Sequence, residues 1–164
     1  MRKMSDGVEA ALHCVLVLAS LPTGKVLAGK ALSELHGLSE SYLLKHLRAL
    51  VAADVLVAVP GPKGGFRLSR PPQAISLLQV VDAIDGPEPF FACREIRRRG
   101  PGKSKDPCVY ATDCFIKSRM LKAEQAWRDS LAAQNVADLV EDGRTLIDDH
   151  NKAAVASYVE NARR

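Results

Sequence analysis

The sequence predicts a mainly α fold with a small β-wing, closed by a long C-terminal helix suited to dimerisation. Three observations carry that reading. Apolar residues recur at helical spacing through residues 8–52, a proline- and glycine-rich turn separates two β-prone runs within 55–69, and a long amphipathic stretch fills 112–134. A chain of 164 residues is enough for one ordinary domain with an appended element.

In residues 8–21, Val8, Leu12, Val15, Leu16 and Ala19 share one stripe, and Pro22 stops the helix. The stretch follows Met1, Arg2 and Lys3 and so imitates a leader, but Asp6, Glu9 and His13 interrupt it, and it reads as a helix of the fold. A short second helix over 30–36 is closed by Gly37. Ser39 caps a third, Glu40 to Ala52, with Leu43, Leu47 and Leu50 at core spacing and Ser41, Tyr42, Lys45 and Arg48 turned outward. Two β runs follow, Val55 to Val59 and Phe66 to Ser69, joined by Pro60-Gly61-Pro62-Lys63-Gly64-Gly65 into a hairpin with a basic tip. Ser76 with Gln79 makes a capping box for Leu77 to Asp85, and Gly86-Pro87 ends that helix.

Residues 94–107, rich in breakers and basic side chains, read as a mobile basic loop. From Thr112 to Gln134 a helix places Ile116, Met120, Ala123, Trp127, Ser130 and Leu131 along one face, suited to a helix–helix interface. Asn135 caps a short turn, and 144–164 reads as a loosely helical tail. The expected domains are therefore 1–86, a cysteine-containing basic loop 87–111, a dimerisation helix and cap 112–140, and the tail 141–164.

Charge is unevenly spread. The net charge is +1 over residues 1–92, +6 over 93–122 and −3 over 123–164, so the basic excess sits in one block. Such a block is compatible with a polyanionic partner or with a solvated loop. Aromatic residues are only 5%, with one Trp, which argues against binding sites walled by aromatic rings. The longest unbroken apolar run, Cys14 to Ala19, is far short of the roughly 18 residues a membrane span needs, so the expectation is a cytoplasmic protein without membrane association. Enzymatic readings find no support. Gly61 to Gly65 lacks the Gly-Lys-Ser/Thr ending of a phosphate-binding loop, and neither a nucleophile elbow nor a His-Glu-x-x-His string occurs.

Three helices followed by a hairpin make a winged helix-turn-helix arrangement. The third helix would enter the major groove of double-stranded DNA, and the hairpin tip would reach the phosphates. The rival reading is a winged-helix module that binds proteins, with Lys63, Arg67 and Arg70 as ordinary solvated charges.

The string YLLKHLRALVAADVLVAVPGPKGGFRLSRPPQAISLLQVVDAIDG resembles the Rrf-two family of bacterial transcription regulators, with its tyrosine-leucine recognition helix, GPxGG wing and proline-rich exit. Cys93, Trp127 and the segment Asn135-Val136-Ala137-Asp138-Leu139 extend the likeness over roughly residues 8–140. The resemblance implies a DNA-binding regulator, with repression as the expected mode, acting as a homodimer on a palindromic operator. It assigns Ser41, Tyr42 and Lys45 to the groove and Lys63, Gly64 and Arg67 to the wing, and Arg48 joins them from the outward face of the helix. Leu44 departs from the family, whose members often hold an acidic residue there; it would touch a thymine methyl or pack inward.

Cys93, Cys108 and Cys114 lie where sensing members hold an iron-sulfur cluster through three cysteines and a further ligand, thiolates being the soft donors that iron in such clusters prefers. The spacing here is C-x14-C-x5-C, with a first gap wider than the family's. An iron-sulfur cluster, a thiol switch or zinc site without a cluster, and no chemical role all remain open for the three cysteines. Cys14, inside an apolar stripe, reads as a small core hydrophobe.

Overall fold

A computed structural model describes residues 4–162; residues 1–3, the basic start of the leader-like stretch, and 163–164, the end of the tail, lie outside the described residues. The described residues form two compact units, 88–130 and a larger one made of 4–87 with 131–162.

In the larger unit, helices α1 (Asp6–Ala19), α2 (Gly29–Leu35) and α3 (Glu40–Ala52) precede a two-stranded antiparallel hairpin, β1 (Leu56–Val59) and β2 (Gly65–Leu68), and then α4 (Leu77–Asp85). Each boundary has a local cause. Ser39 accepts the backbone N–H of Tyr42 at 3.4 Å to start α3, and Ser76 and Gln79 exchange hydrogen bonds of 2.9 and 3.2 Å to start α4. The apolar stripe of α1 buries Val8, Ala11, Val15 and Leu18 against Leu32, Leu43, Leu47, Leu50, Ile75 and Val80. Cys14 is wholly buried in this core, and burial pushes its thiol up to about 12.

The hairpin pairs Leu56 with Leu68 through to Val59 with Gly65. Val55 and Ser69 fall just outside the strands, although the Ser69 N–H still reaches the Val55 carbonyl at 3.1 Å. Leu27 adds a bridge on the far side of β2: its N–H donates to Phe66 O at 3.1 Å and its carbonyl accepts from Phe66 N–H at 2.9 Å. The wing is thereby hydrogen-bonded to the segment that leads into α2, which roots it beside the helices.

Two further helices, α6 (Val136–Leu146) and α7 (Asp149–Ala162), complete this unit after α5 (Phe115–Ala132). The short turn expected after Asn135 is a three-turn helix. Asn135 accepts from Ala137 and Asp138 N–H at 2.9 and 3.3 Å, Asp138 accepts from Asn135 N–H at 2.7 Å, and Val136 is buried in the core. Its start is fastened to the wing exit by Leu77 N–H to Gln134 O (3.0 Å) and Val136 N–H to Ile75 O (2.9 Å). The tail is likewise a packed helix. Val159 of α7 is buried, and the Tyr158 hydroxyl lies 3.1 Å from Ala31 O and 2.9 Å from the Glu34 carboxylate.

In the smaller unit, α5 begins at Phe115, three residues later than expected. The turn through Thr112 and Asp113 precedes it, and the Cys114 carbonyl accepts the first helical bond, from Ser118 N–H at 3.0 Å. The expected basic loop is organised by one carboxylate and one ring. Glu95 accepts from Arg97 at 2.9 Å and Arg98 at 3.2 Å, and both guanidiniums lie over the Tyr110 ring, 5.5 and 5.1 Å from its centroid. Trp127 packs against Phe90, with centroids 4.8 Å apart, so part of the face assigned to a partner helix is covered from within the chain. Ile116 and Met120 are exposed, and Leu131 is half-buried.

Candidate nucleic-acid interface

Because Leu43, Leu47 and Leu50 fix one side of α3 in the core, the opposite side must face out, and Ser41, Lys45 and Arg48 are exposed there. Tyr42 is 36% exposed and sits edge-on to His46, with centroids 4.7 Å apart and planes at 73°. The tyrosine is thereby held on the outer rim of the helix.

His46 does not face out. It is 8% exposed, its Nε2 is buried without a hydrogen-bond partner, and burial, then the Lys45 charge, hold it below the ordinary imidazole range against the opposing pull of Asp85. It is therefore a neutral packing residue at neutral pH. This corrects the expectation that His46 faces DNA or solvent; the signal lies in the spacing, since His46 stands three residues after Leu43 and four before Leu50, within the apolar stripe. Leu44 also turns inward, packing with Phe66 against the core, so the thymine-methyl role is unsupported by the geometry.

On the wing, Lys63 is exposed at the tip. Gly64 is required by the turn. A Cβ there would run into the Val59 carbonyl oxygen, and the Gly64 N–H already donates to Gly61 O at 2.9 Å, which leaves that amide engaged within the turn. Arg67 is half-buried and donates to Leu68 O at 3.1 Å. Arg70 is tied to Asp54 at 2.9 Å and to Ala74 O at 3.1 Å, so it braces the wing exit. Lys63 thus presents the wing's exposed charge, with Arg67 able to reach past it only by leaving its carbonyl.

In the smaller unit the three cysteines divide. Cys114 is buried at the turn just before α5. The Lys117 amide foremost, then those of Ile116, the Cys93 thiol and the Arg97 charge, lower its pKa below the ordinary thiol value in spite of burial. Cys93 also lies 3.8 Å from the Glu95 carboxylate. Cys108 is exposed on the turn Pro107–Tyr110.

The family model Rrf2, described as an iron-dependent transcriptional regulator, matches residues 4–142. The chain belongs to the Rrf2 family. It is similar, at 29% identity over 85% of each chain, to YwgB of Bacillus subtilis, which carries the name of an HTH-type transcriptional regulator. Among solved structures it resembles CymR, the global cysteine regulator of B. subtilis, at 20% identity and TM-score 0.65, covering 86% of this chain and 98% of that one. It also resembles IscR of T. potens, at 20% identity and TM-score 0.65, covering 90% and 93%. These likenesses establish the winged-helix fold for the chain. Rrf2 proteins are transcriptional regulators, and among the described residues no helix is long and apolar enough to cross a membrane.

The ligand set that the Rrf2 resemblance implies for an iron-sulfur cluster does not fit this arrangement. Two of its three sulfurs meet, but Cys108 is turned outward, and among the described residues no three His, Cys, Asp or Glu side chains converge as metal ligands. The wide first gap holds an arrangement of its own. Its residues are spent on the Glu95, Arg97, Arg98 and Tyr110 arrangement, which fixes the turn that carries Cys108.

Proposed function

We propose that this Rrf2-family chain is a homodimeric repressor that binds a palindromic operator. On this reading α3 enters the major groove with Ser41, Tyr42, Lys45 and Arg48, while Lys63 contacts the sugar-phosphate backbone with Arg67 behind it. One observation carries the reading: a helix pinned by three core leucines leaves a polar and basic face open, beside a hairpin tip whose exposed charge is Lys63. Affinity for duplex DNA is largely phosphate neutralisation, so the two positions should behave differently. Lys63→Ala is expected to weaken operator and random DNA alike and to reduce the salt slope by about one unit. Lys45→Ala is expected to change the sequences recovered from a randomised pool. Fluorescence anisotropy on labelled duplexes at several salt concentrations checks both, and an unchanged salt slope for Lys63→Ala sinks the wing assignment.

The paired sulfurs favour a thiol switch as the sensing chemistry. Cys93 is among the groups that lower the Cys114 pKa, and the depressed Cys114 thiol supplies the thiolate that attacks an oxidant. With hydrogen peroxide, Cys114 becomes a sulfenic acid with release of water, and the Cys93 sulfur displaces the second oxygen, again as water, to close a disulfide. Peroxide treatment should therefore protect Cys93 and Cys114 from alkylation and leave Cys108 reactive, as read by mass spectrometry. Cys93→Ser should abolish the protection of Cys114. Protection of Cys93 and Cys108 instead would transfer the switch to that pair.

A further inference from the structure

The larger unit carries a half-open cavity of about 520 Å³ lined from α1, α2, α6 and α7, with none of the groove-facing or wing residues among its walls. Its size lies in the range of small-molecule sites. Leu16, Val17, Leu35, Val140, Val155 and Val159 supply apolar walls. Arg144 and Lys152 supply cations to the lining, Asn151 donates through its amide to the Asp148 carboxylate at 3.1 Å, and no Asp or Glu is itself among the lining residues. We propose that this cavity binds a small amphiphile with a single carboxylate, its apolar chain between α1 and α7 and its head at Arg144 and Lys152.

The charge pattern selects the head group. Arg144 pairs with Glu141 at 3.5 Å and Lys152 with Asp149 at 3.1 Å, but both are exposed pairs on a single helix, which bind weakly in water. Each cation keeps further donors for a carboxylate that arrives on a chain held in the cavity, where the anion would be partly shielded from solvent. His36 lines the same space with its Nε2 buried and without a hydrogen-bond partner.

Gly143 lines this space without a side chain. It stands inside α6, where glycine is unfavourable, and its backbone has no left-handed conformation that would call for it. A Cβ at this position would meet only Ile147 Cδ1, at 3.6 Å. What a larger side chain would take is volume in the cavity, and Ala156 faces the cavity from α7 with the same economy of size.

Thermal unfolding of the full chain with octanoate tests the proposal independently of DNA binding. Octanoate at a hundredfold excess over its Kd should raise Tm saturably by roughly 5–10 °C. Octanol, octylamine and acetate should raise it less, because each lacks either the head or the chain. Gly143→Leu, which gains helix propensity and fills the space, should fold with an undiminished Tm and lose the octanoate response. Arg144→Ala with Lys152→Ala should weaken octanoate at least tenfold and leave octanol unchanged. Equal stabilisation by octanol or octylamine, an octanoate response that survives Gly143→Leu, or no response at all would overturn the assignment. So would sedimentation in which Gly143→Leu dissociates an oligomer, since a second copy would then be the occupant.

Discussion

Gly65→Ala is expected to remove most of the wing's contribution to DNA affinity and to lower stability by about 1–3 kcal/mol. Gly65 opens β2 opposite Val59 at φ +155°, and a Cβ built there would collide with the backbone of Leu27 and Ala28, coming within 2.8 Å of the Ala28 nitrogen. Backbone cannot swing aside as a side-chain tip can. The variant must either hold a strained conformation, at about 1–3 kcal/mol, or separate β2 from Leu27 and break the two Leu27–Phe66 bonds, at about 0.5–1.5 kcal/mol each. The α3 core contacts through Leu43, Leu47 and Leu50 do not pass through this bridge, so the recognition helix should stay folded. The urea midpoint should therefore fall, with helical circular dichroism in the absence of urea kept, while binding to operator and random DNA weakens to the level of Lys63→Ala. A variant with the parent's midpoint and affinity would show that the wing does not depend on this junction.

The parts of the fold legible in the sequence are those whose causes are local. Ser39 and Ser76 start helices because their hydroxyls reach N–H groups three residues on, and the Pro60–Gly65 turn can only reverse the chain. The outward face of α3 follows from three leucines at one spacing. What stayed hidden depends on residues distant in sequence. Leu27 reads as part of a loop, yet it is hydrogen-bonded to the wing. Tyr158 reads as part of a loose tail, yet it lies against a helix 124 residues away. Asn135 was visible as a cap, but the helix it starts persists because Val136 is buried in the core, a fact no local pattern records. The cysteines fail for the same reason. Spacing alone counts residues between sulfurs, whereas the turn carrying Cys108 is placed by Arg98 bonding to Tyr110 O at 3.2 Å and lying over its ring.

Self-association through α5 carries the other large effect. Phe115, Ile116 and Met120 are 76%, 51% and 45% exposed, although they are large apolar side chains on the first two turns of one helix. Single exposed apolar residues need no explanation, but neighbours one turn apart on a helix form a continuous stripe. Trp127, already packed on Phe90, contributes less to that stripe than its size suggests, and the weight moves to the N-terminal turns. A second copy is the partner that a palindromic operator requires, because two symmetry-related recognition helices must meet successive half-sites. Ile116 and Met120 are about half exposed, so completing the burial of each is worth about 0.8–1.5 kcal/mol, and with both copies counted Ile116→Glu with Met120→Glu should weaken self-association by about two to four orders of magnitude, at about 1.4 kcal/mol per tenfold. Sedimentation velocity should show the parent as a dimer at micromolar concentration and the double variant as a monomer with unchanged helical circular dichroism. The monomer should still bind random DNA but lose the preference for a two-half-site operator over a single half-site. A parent chain that sediments as a monomer while holding that preference would remove α5 as the source of symmetry.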